Sequence, residues 1–396
     1  MSELMELSMS SKKELFQVVS RRYHRAKKAD KTKILDEYSA NAGFSRKYAT
    51  RLLNEGYKRG KKKPGPKQVY GNDLEFCKIL RKMWKLLHYP SGKLLKPELV
   101  VLIPFYEKHV EPISESVQNK LCAVSTATID RVLRNYKRSG KTTTKPGSLL
   151  RTQIPIQGCI WDQSVPGFME ADTVAHCGMS TQGIYIHTLT LTDIATSWTE
   201  CRAIFGKSAH STLEAIQDIQ ERLPFKLKGF DSDNGTEFIN QHLVRYLAEQ
   251  NIRMTRSRPY KKNDNAHVEQ RNYSFVRQLM GYGRMENPDL VAIMNELYRD
   301  NWCLLKNFFT PCMKLVEKKR VRSKIIKVHD TPRTPYKRVL ESEHVSDTDK
   351  ATLTKQYEAL DPFLLKKNID SLTKGVITLS RVSFEDWKNQ QALPFQ

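Results

Sequence analysis

Hydrophobic residues recur at two different spacings along the chain, and the change from one to the other marks its main division. In residues 31–54, Ile34, Leu35 and Tyr38 fall at helical spacing, and the turn AGF leads to a second segment, RKYATRLLN, which Ser45 is placed to cap. From about residue 165 the pattern changes to alternation and β-branched runs, as in FMEADTVAH and GIYIHTLTLTDI. The sequence therefore predicts a helical N-terminal part followed by a strand-rich part.

The helical pattern is repeated at residues 114–137, where Ser125 is placed to cap TATIDRVLRNYK. Each of the two segments has the outline of a helix-turn-helix, whose second helix would enter a DNA groove. A three-helix bundle without a DNA role gives the same pattern, so one segment alone leaves both interpretations open. The residues that the second helices would present to DNA are Arg46, Lys47 and Arg51 in the first segment, and Thr126, Thr128, Arg131 and Arg134 in the second.

The pattern of the strand-rich part predicts three strands, followed by helices and strands in alternation. HSTLEAIQDIQERL and TEFINQHLVRYLAEQ have helical patterns, FKLKGFDSD and IRMTRS read as strands, and a further helix is expected from about 265 to 282. We expect Thr236 to cap the second of these helices, with Glu237 in its first turn. The order βββαβαβα indicates an α/β fold, in which a mixed sheet is flanked by helices.

The charge is distributed very unevenly. The chain of 396 residues has a formal net charge of +23, and residues 1–150 hold 32 Lys and Arg against 14 Asp and Glu. Residues 151–285 are near neutral, with 15 against 14. A solubilising excess is the plain alternative, but this asymmetry favours a nucleic-acid-binding arm. The segment KRGKKKPGPKQ at 58–68 is either a solvated tether or a minor-groove arm that would use Lys61, Lys62 and Lys63.

Composition excludes several classes of protein. No apolar run reaches the roughly 18 residues of a transmembrane helix, and the N-terminus lacks the apolar core of a signal peptide. The seven cysteines form no Cys-x-x-Cys pair, so we expect reduced thiols and no zinc framework. The pattern indicates a cytoplasmic protein without a membrane partner.

Three separated carboxylates are candidates for a metal site. Asp172 lies in the middle of the first strand, and Asp233 lies where the fourth strand ends before Asn-Gly. Glu269 lies in the first turns of a later helix, with 35 residues between it and Asp233. A lone carboxylate among core residues is costly unless it is paired or binds a metal, and carboxylate oxygens suit Mg²⁺ or Mn²⁺. Asp231 shares the strand face of Asp233 and is a rival ligand, which we interpret as an accessory or solvated residue.

A polar, basic loop, SRPYKKNDNA, precedes the helix that bears Glu269. A solvated surface loop is one interpretation, and a segment that grips the DNA backbone beside the site is the one we favour. The candidate DNA-contacting residues just before this loop, in it and in the following helix are Arg256, Arg258, Tyr260, Lys261, Lys262, His267, Arg271 and Arg277.

The motifs DSDNGTEFIN and TRSRPYKKNDNAHVEQRN, with the D-x35-E spacing, resemble the bacterial insertion-sequence transposases of the DDE and retroviral integrase superfamily. The resemblance covers residues 165–285 firmly and the flanking regions loosely. It implies an integrase catalytic core with an RNase H-like fold, in which Asp172, Asp233 and Glu269 are the catalytic residues and hold two Mg²⁺ (or Mn²⁺) ions. It also implies binding of terminal inverted repeats, cleavage at the element ends and joining of 3′ hydroxyls to target DNA. Helix-turn-helix modules stand where retroviral integrases have a zinc-binding domain.

The expected fold is an α/β RNase H-like catalytic core, a mixed five-stranded sheet flanked by helices, with N-terminal all-α helix-turn-helix domains. The C-terminal third is basic and β-branched at KLVEKKRVRSKIIKVHD, which suggests short strands or an extended DNA-contacting strap, and helical later. The expected segments are a helix-turn-helix domain at 1–60, a basic linker at 61–69, a second helix-turn-helix domain at 70–140, a linker at 141–164, the catalytic core at 165–308 and a C-terminal region for DNA or subunit contacts at 309–396.

The favoured function is a Mg²⁺-dependent transposase that acts on double-stranded DNA, as a homo-oligomer because two ends must be brought together, in the bacterial cytoplasm near the nucleoid. A catalytically silent helix-turn-helix regulator derived from such an enzyme is the alternative, and a nuclease that cleaves without joining is a third.

Overall fold

The computed structural model describes residues 7–57, 70–136, 164–232, 235, 237–238, 240–256, 266–321 and 324–391. The chain folds into two compact units, Met1–Gln68 and Val69–Gln396. Each unit has its own hydrophobic core. In the described residues, no helix is long and apolar enough to span a membrane.

The first unit is a small helical bundle. Its helices are α1 (Met9–Arg25), α2 (Lys28–Ala42) and α3 (Arg46–Glu55). Ile34, Tyr38 and Leu53 are in its buried core. Helix α2 ends at Gly43, which adopts the left-handed conformation that favours glycine (φ 64°). The Ser45 hydroxyl accepts a hydrogen bond from the Tyr48 amide at 3.4 Å, so the two predicted helices, their turn and the cap of α3 are confirmed.

The second unit begins with four helices and a short 3₁₀ turn. They are α4 (Leu74–Leu86), α5 (Gly92–His109), α6 (Glu115–Ala123), α7 (Thr126–Leu133) and the turn Arg134–Tyr136. Ser125 caps α7 as predicted, by accepting from the Thr128 amide at 3.2 Å. Leu80 and Leu99 belong to the same buried cluster as Leu189 of the sheet described next. These helices and the sheet therefore share one core.

A mixed sheet forms the centre of this unit. Its strands are β1 (Phe168–Ala175), β2 (Ile186–Asp193), β3 (Thr199–Phe205), β4 (Gly229–Ser232) and β5 (Arg253–Arg256), in the spatial order β3-β2-β1-β4-β5. β1 pairs with β2, and β2 with β3, in antiparallel fashion, whereas the pairings of β1 with β4 and of β4 with β5 are parallel. The predicted α/β class, the mixed five-stranded sheet and the order of strands and helices along the chain are confirmed.

Helices connect the later strands of the sheet and follow the last one. They are α8 (Ala209–Arg222), α9 (Gln241–Glu249) and α10 (Ala266–Arg271), which continues through a π-helical turn at Asn272–Arg277 into α11 (Gln278–Met280). The predicted start of α9 at Thr236 is wrong, because Glu237 lies in a turn and Asn240 caps the helix by accepting from the Leu243 amide at 2.9 Å. Asn240 also donates to the Glu237 carbonyl at 2.8 Å, which holds the turn outside the helix.

The C-terminal part combines helices with a two-stranded hairpin. Its elements are α12 (Leu290–Leu297), a π-helical turn at Tyr298–Trp302, α13 (Cys303–Phe309), β6 (Leu315–Val321), β7 (Lys324–His329), α14 (Pro335–Glu341), α15 (Asp347–Ala359), α16 (Pro362–Leu379) and α17 (Phe384–Gln391). β6 and β7 pair in antiparallel fashion, which confirms the short strands expected here. The later helical pattern is confirmed too, with a break where Asp361 caps α16.

Candidate active site

Asp172 is the candidate metal ligand whose side chain the structure describes. It lies on β1 and is half-buried. Its Oδ2 accepts a hydrogen bond from Asn272 Nδ2 at 2.6 Å, and its Oδ1 accepts from the Thr173 amide at 2.7 Å. Asn272 directly follows α10, so this bond joins the strand of Asp172 to the helix that carries Glu269.

A second hydrogen bond holds the same helix one turn earlier. Val268, the residue before Glu269, donates its backbone N–H to Glu170 Oε2 at 3.0 Å. Glu170 lies two residues before Asp172 on β1 and is 3% exposed. The backbone of Glu269 is therefore held between two contacts with β1, whereas its side chain lies outside the described residues.

The parallel pairing of β1 and β4 brings the residue before Asp233 next to the residue before Asp172. Ala171 pairs with Ser232, the last residue of β4, and Glu170 pairs with Asp231. Asp233 follows Ser232 and lies outside the described residues, as does Asn234. The interpretation of Asp231 as solvated is wrong, because it is 0% exposed and accepts from Thr255 Oγ1 at 2.5 Å.

A row of buried polar residues runs across all the strands of the sheet beneath the candidate site. In order along the row these residues are Thr199, Thr192, Glu170, Asp231 and Thr255, each paired in register with the next. Thr192 and Thr199 are joined through their hydroxyls at 3.2 Å. Because Glu170 is two residues from Asp172, the row and Asp172 share a sheet face. Buried carboxylates need hydrogen-bond donors, and Val268 and Thr255 supply them.

Glu237 fastens the turn after β4 to β1. Its Oε1 accepts from Thr173 Oγ1 and from Lys207 Nζ, each at 2.7 Å, and its side chain is buried. Burial by itself would raise the pKa of Glu237, but the hydrogen bonds from Lys207 and Thr173 outweigh it and lower that pKa. His187 lies nearby, and burial together with the charge of Lys207 lowers its pKa to about 4. Glu237 is therefore an ionised carboxylate that joins the turn after β4 to Thr173, the residue after Asp172.

The surroundings of Asp172 are compatible with a hard cation. Asn272 Oδ1 is buried and, within the described part of the chain, no hydrogen-bond donor reaches it, so it could accept from a metal-bound water. Carboxylate oxygens are the donors that Mg²⁺ prefers. In the described ranges, no group of three His, Cys, Asp or Glu side chains is arranged to hold an ion.

The candidate DNA-contacting residues of the helices are at the surface. On α3, Arg46, Lys47 and Arg51 are exposed; Arg46 pairs with Asp36, and Arg51 lies 5.1 Å from the Tyr48 ring centroid. On and just after α7, Arg131 and Arg134 are exposed, while Thr126 and Thr128 are half-buried.

Two arginines of the helix that follows the polar loop make contacts within the protein, with backbone carbonyls or an aromatic ring. Arg277 donates to the carbonyls of Ala175 at 3.0 Å and Gly281 at 3.3 Å, and Arg271 lies 5.6 Å from the Phe275 ring centroid. The remaining candidates lie outside the described residues, entirely or in their side chains; these are Lys61, Lys62, Lys63, Arg256, Arg258, Tyr260, Lys261, Lys262 and His267.

The sequence did not indicate roles for Glu170 and Asn272, and it placed Glu237 in the first turn of a helix, whereas Glu237 lies in a turn before that helix. Two signals were available: Glu170 alternates onto the face of Asp172, and Asn272 is one helical turn after Glu269. The partners of these residues are not predictable from spacing, because both bonds join residues about one hundred positions apart, 98 for Glu170 and 100 for Asn272.

The chain is similar in sequence to an integrase family model and to a bacterial protein. Residues 162–262 match the family model described as integrase core domain. The chain is 35% identical over 341 residues to the uncharacterized protein y4rM of Sinorhizobium fredii (strain NBRC 101917 / NGR234), a match that covers 84% of this chain and 96% of that protein.

Two solved catalytic cores are also similar. The BIV integrase core gives a TM-score of 0.29 at 16% identity, covering 45% of this chain and 96% of that one. The dimeric HTLV-2 integrase core in complex with magnesium gives 0.28 at 14% identity, covering 37% and 91%. With a relative that matches along most of both lengths, the chain belongs to the family of the Sinorhizobium protein, and its central sheet lies in an integrase core domain.

Proposed function

We propose that this protein is a DDE transposase that binds the terminal repeats of a mobile element, cleaves DNA at the element ends and joins the 3′ hydroxyls to target DNA. The observation that carries the proposal is the attachment of α10 to β1 on both sides of Glu269, by Glu170 and by the Asp172–Asn272 bond. Such attachment keeps the backbone of the third carboxylate beside the strand of the first.

The second carboxylate joins them through the strand pairing. Ala171 pairs with Ser232, and the next residues in the sequence are Asp172 and Asp233. If the parallel register continues by one residue, these two aspartates are neighbours at the edge where ligands bind in open α/β sheets. Asp172, Asp233 and Glu269 would then hold the metal ions.

The chemistry requires divalent cations and a rigid frame. Two Mg²⁺ or Mn²⁺ ions, when bound, activate the attacking hydroxyl and stabilise the leaving oxygen of a phosphodiester. The chain's own part is to orient the carboxylates. Asn272 holds Oδ2 of Asp172 at 2.6 Å, and Glu237 holds the turn after Asp233 against Thr173. Positioning of this kind is what catalysis of in-line displacement needs most.

DNA recognition is assigned to the surface cations outside this frame. The exposed residues of α3 and α7, and the basic loop before α10, are the proposed contacts to terminal repeats and scissile DNA. Because two element ends must be joined together, we propose a dimer or a larger homo-oligomer on DNA. The site of action would be the bacterial cytoplasm, where the DNA lies.

The test uses the full chain and the DNA that flanks its gene. Inverted repeats in that DNA define a labelled end substrate, which is incubated with protein and Mg²⁺. We expect the wild type to give cleaved and joined products, Asp233→Asn to give neither, and Asp347→Asn, an exposed carboxylate on α15, to be fully active. Binding without cleavage by the wild type would overturn the proposal in favour of a regulator, and cleavage without joining would favour a nuclease.

A further inference from the structure

The β6–β7 hairpin has no packed face among its described side chains. Ile326 and Val328 point to one side of β7, and Lys327 and His329 to the other, by strand alternation. All four are exposed, with Ile326 at 49% and Val328 at 44%. An isolated two-stranded hairpin is marginally stable in water, so a ribbon exposed on both faces gains from a partner.

The base of the hairpin is nevertheless fixed to the core. Lys314 and Asp330 flank it and are joined by two hydrogen bonds. The Asp330 amide donates to the Lys314 carbonyl at 3.0 Å, and the Lys314 amide donates to Oδ1 of Asp330 at 2.7 Å. Lys314 Nζ also donates to the Ala195 carbonyl at 2.9 Å, and Arg338 forms an ion pair with Asp330 at 2.7 Å. The two ends of the hairpin are therefore fixed to the rest of the unit.

Charge identifies the chemistry of the partner. Residues 315–329 contain six Lys and Arg and a single acidic residue, Glu317. The backbone register pairs Lys318 of β6 with Lys327 of β7, so basic residues stand on both strands, which suits a polyanionic partner. A second copy of this chain, seated on the same surface by two-fold symmetry, would add more positive charge to it.

We propose that the β6–β7 hairpin is a DNA-binding ribbon that contacts the phosphates of double-stranded DNA and enters its major groove. A two-stranded β-ribbon fits that groove, and exposed aliphatic side chains such as Ile326 can contact thymine methyl groups there. The inference rests on the proposed function for the choice of DNA as polyanion, and adds a contact surface remote in sequence from the catalytic carboxylates.

The experiment measures the salt dependence of DNA binding. Fluorescence anisotropy with a labelled duplex of about 30 base pairs, across a KCl series, gives the slope of log K against log [KCl] for the full chain. The hairpin variant carries Lys318→Gln, Arg320→Gln and Lys327→Gln. The matched control carries Lys355→Gln, Lys367→Gln and Lys374→Gln, which are exposed on α15 and α16. Each lost phosphate contact removes about 0.9 from the slope.

We expect the hairpin variant to lose roughly 2 to 3 units of slope and at least tenfold in affinity, with the control at the wild-type values. Lys327→Gln alone should lose about 0.9, which keeps the test valid if the triple variant folds poorly. Equal slopes for variant and control would overturn the proposal. So would unchanged binding with an altered oligomeric state in analytical ultracentrifugation, which would make the hairpin a subunit contact. If the wild type binds DNA through the hairpin but cleaves nothing, the proposed function fails and the ribbon stands.

Discussion

Asn272 Nδ2 lies 2.6 Å from Oδ2 of Asp172, which joins the helix that bears Glu269 to the strand of the first candidate ligand across 100 residues of sequence. Hydrogen bonds to charged groups contribute about 1.5–3 kcal/mol, enough to set a carboxylate's orientation. The bond leaves Oδ1 of Asp172 with the Thr173 amide as a donor. Asp172 therefore approaches any ligand in an orientation that Asn272 helps to fix.

Replacement of Asn272 by Asp should reduce metal-dependent cleavage. The new carboxylate would lie against Asp172 and replace a donor by a like charge, so we expect a loss of tenfold or more in cleavage rate. The half-saturating Mg²⁺ concentration should change as well, which loss of stability alone would not cause. The measurement is the cleavage rate across a Mg²⁺ series, beside the melting temperature.

Gln270→Glu is the matched control for that variant. It adds a carboxylate two residues away on the exposed side of the same helix, and should keep the wild-type Mg²⁺ dependence. An Asn272→Asp protein with an unchanged Mg²⁺ dependence would show that the bond to Asp172 has no part in metal binding.

Glu170 should stabilise the start of α10. Glu170→Leu leaves the Val268 amide without its acceptor in a buried setting, at a cost of about 1–3 kcal/mol in the free energy of unfolding. Glu170→Gln keeps a carbonyl oxygen and should cost less. Hydrogen exchange of the Val268 amide reports the contact itself: we expect faster exchange in Glu170→Leu. Equal protection in both variants would contradict the assignment.

Glu237 should control the turn after β4 through its two donors. Lys207→Met removes one of them from a buried carboxylate, so the pKa of Glu237 should rise toward or above its ordinary value. In the wild type the lowered pKa adds stability that is present above the unfolded value of 4.5 and is lost as pH falls through the folded value.

Urea unfolding from about pH 3 to about pH 7 tests this. The variant should lose stability at the upper end of that range and depend less on pH at the acidic end than the wild type does. Lys226→Met, on the exposed surface before β4, is the control. Parallel pH profiles for wild type and Lys207→Met would contradict the proposed link.

Lys306 should make stability rise with pH. Its ammonium is buried between the rings of Phe275, at 5.5 Å, and Trp302, at 5.1 Å; burial, with the charge of Arg271, lowers its pKa to about 7 from 10.5. Between these values the unfolded chain binds more protons, so the free energy of unfolding increases with pH, by at most about 1.4 kcal/mol per unit. Lys306→Met should remove this slope between about pH 7 and pH 9, and Lys355→Met should keep it. Urea unfolding at several pH values in that range is the measurement.

Local patterns predicted most of the elements, because their causes are local. Ser45 and Ser125 were recognisable as caps from the residues that follow them, and the alternation around β1 marked a strand. The start of α9 was mistaken because two capping residues, Thr236 and Asn240, compete within five positions and local sequence does not rank them. The contacts of Glu170 and Asn272 depend on tertiary packing, which one sequence does not encode in any spacing.

The proposed function requires Asp172, Asp233 and Glu269 to hold divalent ions at one point. A crystal structure of the full chain with duplex DNA and Mn²⁺, in which anomalous scattering locates each ion, tests this requirement. We expect anomalous peaks about 2.1 Å from carboxylate oxygens of all three residues, beside a phosphate. Peaks elsewhere, or three carboxyl groups too far apart to share an ion with DNA bound, would contradict it.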